Sequence, residues 1–519
     1  MTELPFILTG LFFIILFVIA AWGLKKTENL NDFFLGGKTL GPWILAISYG
    51  TAYFSAVVFI GFAGKFGWLC SFKAIWVGIM NAVCGGLLAW LILGKATRRM
   101  TRRLNAMTMP EFFAARYGTN GMKIASAFII FIFLLPYSAS VFAGLTYLFQ
   151  NVFGIPFWIV LTIITIVTGI YIVCGGYKAA ARIDFLQGII MFVGAILMVW
   201  FVIQYFSNEF DGFKNVCEET VKRYTMRMDE SQSFPDQVIA VKPIPNIIFW
   251  SVVFMTSFAP WGLPQMVHKY YAIKDESQIA RGAIITLIFA FVIGCAAYLT
   301  GCFSHLLPKS LLETALVNDG TAIDVNMLVP IMLVQTLPKW LLAIILLLVL
   351  SASMSTLCSL VLVSASAVGI DLYKGYIASN QSETHFLMII RFLSGLFILF
   401  SYLIALFNPS WIVPLMSLSW GVVAGSFLAP YVYGLFWRKT TKLGAYAGII
   451  TGLVVTNSIY WGLFINKGSD MANAYAPLAA SIAMVLPFLV VPVVSCITKP
   501  LPNEIIAKAF DETNEKNAA

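Results

Sequence analysis

Residues 41–64 read GPWILAISYGTAYFSAVVFIGFAG. The stretch is apolar and long enough to cross a hydrocarbon core about 30 Å thick. Its middle, Tyr49-Gly50-Thr51-Ala52-Tyr53-Phe54-Ser55, is rich in glycine, small and hydroxyl residues. A helix interrupted there frees backbone groups that lipid cannot satisfy, and such backbone survives only where it lines a cavity inside the protein. A second stretch has the same character: Thr256-Ser257-Phe258-Ala259-Pro260-Trp261-Gly262-Leu263-Pro264. The two breaks lie roughly 200 residues apart, and each opens a run of five apolar spans. Paired interruptions at corresponding positions of two halves point to a transporter binding site.

Composition sets the class. The chain has 519 residues, 60% of them hydrophobic and 11% charged, and its mean hydropathy is +0.87. A soluble domain carries roughly a quarter charged residues, so an all-α membrane protein is expected. Thirteen transmembrane helices are predicted, at 5–24, 41–64, 72–94, 121–149, 155–175, 184–206, 243–264, 279–304, 338–370, 386–407, 411–437, 444–465 and 475–497. Met327–Leu337 is apolar but short, and reads as an interfacial helix. The first stretch lacks a basic leader and a small-residue cleavage site, so it reads as a retained helix rather than a signal peptide.

With the N-terminus outside, most of the 33 Lys and Arg fall on one side, densest at Lys95, Arg98, Arg99, Arg102 and Arg103. The positive-inside rule then places the chain in the cell membrane with its C-terminus cytoplasmic. Basic residues confined to short loops exclude a nucleic-acid face. One membrane domain is expected over 1–519: a first span and linker (1–40), a first repeat (41–206), a second repeat (243–437), two further spans (444–497) and a polar tail (498–519). The tail is too short for a fused catalytic or signalling domain. Eight cysteines are scattered; Cys70, Cys217 and Cys302 fall outside, and spacing leaves their pairing open. No His/Asp/Glu cluster has catalytic or metal-binding spacing, so neither an enzyme nor a His- or Cys-ligated metal centre is expected.

The ninth span carries Leu350-Ser351-Ala352-Ser353-Met354-Ser355-Thr356-Leu357-Cys358-Ser359. Ala352, Ser355 and Thr356 stand at i, i+3 and i+4 and share one helix face. Two hydroxyls and a loosened carbonyl offer hard oxygens to a small cation, and the broken second span can add further carbonyls. The same spacing also lets membrane helices pack closely. Coupling to protons would need a carboxylate in mid-span, and none is read there. His268, Lys269, Lys274 and Arg281 follow the seventh span and read as a solvated loop that sets topology.

Ser353-Met354-Ser355-Thr356-Leu357, then Val361-Leu362-Val363-Ser364-Ala365-Ser366 and Asp371-Leu372-Tyr373-Lys374, resemble the signature of the sodium/solute symporter family. So do Gly175-Gly176-Tyr177-Lys178-Ala179 with Asp184 and Gln187. The family includes proline, pantothenate, sialic acid and sodium/glucose transporters. The resemblance implies a core of five plus five helices in inverted repeats, spans two to eleven, working by alternating access. It implies a sodium site built from the carbonyls of Thr51, Phe54 and Ala352 with the hydroxyls of Ser355 and Thr356. Some relatives hold a second sodium, and the matching positions are Asp184, Ser355, Cys358 and Ser359. Cys358 departs from the usual hydroxyl there, and Asp184 also suits the N-cap of the sixth span.

The expected solute lining is Tyr53 and Ser55 at the first break, Tyr137, and Trp250, Thr256, Trp261 and Gln265 around the second. Ser417 and Trp420 would close it. Proline transporters carry an Asp at the position of Tyr53 and a Trp at that of Thr256, which argues against proline. Gly262-Leu263-Pro264-Gln265, Lys274-Asp275, Arg281-Gly282, Thr51-Ala52, Ser55-Ala56 and Phe59-Ile60-Gly61 look more like the pantothenate branch, which includes carriers of short carboxylates. The expected cargo is a small organic anion or zwitterion: a carboxylate, an amino acid-like or a pantothenate-like solute. A sensor signalling through a partner protein and a sodium-independent uniporter are the rival readings.

Overall fold

Long apolar stretches with no water to satisfy their backbone must fold as helices, and this chain does so almost throughout. The computed structural model describes residues 3–26, 41–228, 241, 243–317, 322–377, 381–407 and 410–511, with backbone alone at 19–26 and 174–182. The linker at 27–40, the segment 229–240 and the end of the tail lie outside the described residues. So do the side chains of Gly175-Gly176-Tyr177-Lys178-Ala179. The elements before the second break are α1 (Glu3–Lys26), α2 (Pro42–Tyr53), α3 (Ala63–Cys70), α4 (Ile75–Met80), α5 (Ala89–Leu104), α6 (Met109–Tyr117), α7 (Asn120–Phe153), α8 (Phe157–Glu209), α9 (Phe213–Met228) and α10 (Asn246–Phe258). After it come α11 (Pro264–Tyr271), α12 (Gln278–Cys302), α13 (Lys309–Glu313), α14 (Val325–Thr336), α15 (Lys339–Ser366), α16 (Glu383–Phe407), α17 (Ile412–Phe436), α18 (Lys442–Lys467), α19 (Ser469–Ile497) and α20 (Asn503–Phe510). A two-residue antiparallel ladder, Leu316–Val317 with Ala322–Ile323, is the β-structure among the described residues.

Ten helical runs among the described residues are long and apolar enough to cross a membrane. Helix α9 falls in a segment expected to be an external loop, and its charged face explains why hydropathy did not reveal it. The predicted fifth and sixth spans both fall in α8, whose backbone is helical where a connecting loop was expected. Lys178, Ala179, Ala180, Ala181 and Arg182 are strong helix formers, which accounts for the continuity. The run is not straight. Thr168 Oγ1 is 3.1 Å from Met354 Sδ, and a Cβ on Gly194 would meet Leu348 at 2.7 Å. Those partners are under two turns apart on α15, yet 26 residues of straight helix would span about 39 Å.

Helix α15 is the buried axis, with every residue from Leu348 to Ala367 shielded. α2, α8 and α16 pack on it. α4, the π-helical Asn81–Leu88 and α5 run antiparallel to α12. A Cβ on Gly78 would lie 2.7 Å from the Gly294 carbonyl carbon, and one on Gly94 would lie 3.2 Å from Ile279. Glycine permits that approach, as small residues do between membrane helices. Asp371 of the family-like signature anchors the π-helical Ala367–Ile377: it accepts from Thr108 Oγ1 at 3.0 Å and pairs with Lys123 at 3.3 Å. The seven described cysteines are free thiols, Cys70, Cys217 and Cys302 among them.

Candidate ion and solute site

The first break follows Tyr53. Phe54 is extended (φ −103°, ψ 123°), and its N–H closes the last helical bond to Gly50. The next donors leave the ladder: Ala56 N–H goes to Ser353 Oγ at 3.2 Å, and Val57 N–H to Ser55 Oγ at 3.3 Å. Carbonyls at the end of α2 are thereby freed from helical partners. α15 lies opposite. Thr356 Oγ1 is 3.2 Å from the carbonyl of Thr51, 3.3 Å from that of Ala52 and 3.0 Å from that of Ala352. Ser355 Oγ donates to Thr51 Oγ1 at 2.9 Å. All of these residues are buried, so hard oxygens from two helices converge in a dry place. Of the expected ion ligands, Thr51, Ala352, Ser355 and Thr356 thus stand together, and Phe54 is the extended residue at the break itself.

The second break has another cause. Pro260 lacks an N–H, so the Thr256 carbonyl, four residues earlier, loses its helical donor. Tyr53 crosses between the two breaks and donates its hydroxyl to that carbonyl at 2.6 Å. The chain passes through a 3₁₀ turn, Ala259–Trp261, and resumes as α11. Trp261 Nε1 donates to the Cys84 carbonyl at 2.9 Å. The Tyr137 and Trp420 rings meet edge-on with centroids 5.5 Å apart. Gln265 Oε1, Trp420 Nε1, Ser138 Oγ and Tyr298 OH are buried polar atoms without a hydrogen-bond partner among the described residues. Of the expected solute lining, Tyr53 and Thr256 touch, and Tyr137 and Trp420 touch. Ser417 Oγ turns back to its own helix at Val413. Trp250 is 48% exposed and lies beside Phe249 and Lys73 on the outer surface, away from this cluster.

Lys269 corrects the reading of residues 268–281 as a solvated loop. α11 continues the broken span to Tyr271, and Lys269 is 1% exposed. Its Nζ lies 2.8 Å from Ser48 Oγ, 3.5 Å from Asp184 Oδ2 and 3.4 Å from Ser359 Oγ. Ser48 Oγ donates to the same Asp184 oxygen at 2.5 Å. Asp184 is therefore no N-cap, since it lies inside a helix and its carboxylate reaches across to α2 and α11. The signal for Lys269 was in the sequence: Gln265 and Lys269 stand at i, i+4, followed by the apolar Tyr270 and Tyr271, a pattern that extends the helix beyond the break. Further out, the connecting turn is clamped. Arg99 makes two bonds to Glu276, at 2.7 and 2.9 Å, and Arg98 Nε donates to the Ile273 carbonyl at 3.1 Å.

The chain matches known proteins over most of its length. The sodium:solute symporter family matches residues 33–452. The chain belongs to that family. It is 26% identical over 499 residues to the sodium/proline symporter of Haemophilus influenzae, covering 94% of this chain and 93% of the relative. It is 27% identical to the osmoregulated proline transporter OpuE of Bacillus subtilis, over 85% of this chain and 86% of that protein. Its fold is similar to that of a substrate-bound, outward-open Na+-coupled sialic acid symporter. The TM-score is 0.70 at 17% identity, over 96% and 98% of the two chains. This symporter is therefore a multi-pass membrane transporter, not an enzyme, and its class couples solute movement to sodium.

Proposed function

We propose that sodium binds where the first break meets α15, held by the carbonyls of Thr51, Phe54 and Ala352 and the hydroxyls of Ser355 and Thr356. The observation that carries this is Thr356 Oγ1 facing the carbonyl oxygens of Thr51, Ala52 and Ala352 at 3.0–3.3 Å beside Ser355. Small hard cations take several oxygen ligands, and the freed end of α2 supplies them without a charged residue. The solute is a small organic anion or zwitterion, held between Tyr53, Ser55, Tyr137, Thr256, Trp261, Gln265 and Trp420. Two relatives named above carry proline in their names. Here the positions where proline transporters keep Asp and Trp are Tyr53 and Thr256, and the Tyr53 hydroxyl is bound to the Thr256 carbonyl, which supports a different cargo. Half-helix ends at the breaks can meet an anionic head without a buried Arg.

The architecture that goes with this reading has thirteen transmembrane helices, the N-terminus outside and the C-terminus cytoplasmic. Spans two to eleven form two inverted repeats, 41–206 and 243–437, that rock about the central solute. The test is uptake into proteoliposomes with an imposed sodium gradient, against proline, pantothenate, short carboxylates, amino acids, sugars and sialic acid. Sodium-driven accumulation of a carboxylate or zwitterion other than proline is expected. Accumulation of proline alone overturns the cargo, equal uptake without a gradient favours a uniporter, and uptake of none favours a sensor.

A further inference from the structure

The ion site has a second layer one helical turn further along. Ser48 precedes Thr51 by three residues on α2, and Ser359 follows Ser355 by four on α15, so each pair shares a face. The layer of Ser48, Ser359 and Asp184 repeats the chemistry of the layer above it: buried oxygens from α2 and α15, with a carboxylate from α8 added. Asp184, Ser355, Cys358 and Ser359 are the positions that the family resemblance gave to a second sodium. The place is filled from within the chain, by the Lys269 ammonium at 2.8, 3.5 and 3.4 Å from Ser48, Asp184 and Ser359.

We propose that Lys269 is a built-in second cation, taking the place of a second sodium between Ser48, Asp184 and Ser359, so that this transporter binds one sodium per cycle. The inference rests on the sodium site proposed above. Charge supports it. The layer holds one carboxylate and one ammonium, and a further cation beside them would be a buried charge with no partner, which costs several kcal/mol. Ligand chemistry supports it too, because the Cys358 thiol is a poor sodium ligand but does not hinder an ammonium held by oxygens. The consequence is mechanical as well as stoichiometric. A free sodium leaves the site in each cycle, whereas Lys269 stays attached to α11. Its contacts latch the inner half of the second broken helix to α2, α8 and α15. They connect to the ion site through Ser48, whose hydroxyl meets Lys269 and whose carbonyl accepts from Thr51 Oγ1, the atom to which Ser355 donates.

The experiment is equilibrium binding of radioactive sodium to the purified full-length protein in nanodiscs, without solute. The wild type is expected to bind one ion. K269Q leaves Asp184 uncompensated and is expected to bind two. D184N/K269Q removes the carboxylate and is expected to return to one, and K269R, which keeps the charge, is expected to stay at one. Two ions in the wild type, or one in K269Q, overturns the role of Lys269 while leaving the first sodium site standing. No sodium bound by the wild type overturns the sodium site itself, and this inference with it. The wild-type stoichiometry needs no variant, so the proposal stays falsifiable even where K269Q does not fold.

Discussion

The two broken helices look alike in sequence and differ in what they expose. The first break is made by small residues and an extended Phe54, and it offers carbonyls to hydroxyls on a packed neighbouring helix. The second is made by Pro260, which frees one carbonyl by deleting a donor, and that carbonyl is met by a tyrosine. Hard, small and rigid on one side, aromatic and amide-lined on the other: the first suits an ion and the second a solute. The lesson is that a break is read from what faces it. α15 brings hydroxyls to the first, while Tyr53 links the second back to the first.

The largest expected effect breaks this comparison at the ion side. S355A/T356A removes both hydroxyls and should abolish sodium-stimulated uptake while leaving the solute side intact. Hydrogen bonds to charged groups contribute about 1.5–3 kcal/mol each, so each single variant should raise the sodium concentration for half-maximal uptake by about ten- to a hundredfold. Unchanged sodium dependence in the double variant removes the assignment.

A smaller effect is expected at the solute side. P260A restores an N–H to the Thr256 carbonyl, letting α10 continue as regular helix and competing with Tyr53. Solute uptake should fall by about tenfold or more, in keeping with the roughly 3 kcal/mol by which proline disfavours a helix interior. Sodium binding measured without solute should persist. Loss of both together would mean that the breaks do not divide the work.

How far the sequence went follows from the same comparison. Both breaks were legible because glycine, proline and hydroxyl residues in an apolar span conflict with the needs of a lipid-exposed helix. The shared face that Ala352, Ser355 and Thr356 present to the first break was legible from their spacing. Trp250 was misplaced because six residues of helix turn it about 120° from Thr256, so nearness in sequence did not mean a shared face. Lys269 was hidden by its type: a lysine just past an apolar stretch resembles the loop charges that set topology. The residues after the break do extend the helix, but only the crossing of Asp184 from α8 brings out its partners, and that is a tertiary fact.

Y53F sharpens the link between the breaks. It removes the hydroxyl that meets the Thr256 carbonyl and leaves a buried acceptor unpaired, at a cost of about 1–3 kcal/mol. A lower thermal midpoint and a several-fold loss of uptake are expected. In P260A/Y53F the alanine N–H takes over the carbonyl, so the stability loss from Y53F should shrink. An equal loss in both backgrounds would show that the Tyr53 hydroxyl serves something else.

The smallest effect lies at the clamp outside the membrane, where the Arg98–Arg99 end of α5 holds the turn that follows α11. The bidentate bond from Arg99 keeps the Glu276 carboxyl below its usual range, with the nearby Lys95 and Arg98 charges acting in the same direction. A carboxylate depressed in the folded state stabilises it above the unfolded value of about 4.3. That stabilisation disappears as pH falls through the folded value. Glu276 is partly open to solvent, so its pairing contributes about 0–1 kcal/mol. E276Q should therefore lower the thermal midpoint slightly at pH 7, and the difference from the wild type should shrink as pH falls below about 4.3. A difference that did not shrink in acid would mean that Glu276 acts through packing or its neutral hydrogen bonds rather than its charge. The latch at Lys269 would then be the charged contact that holds α11 in place.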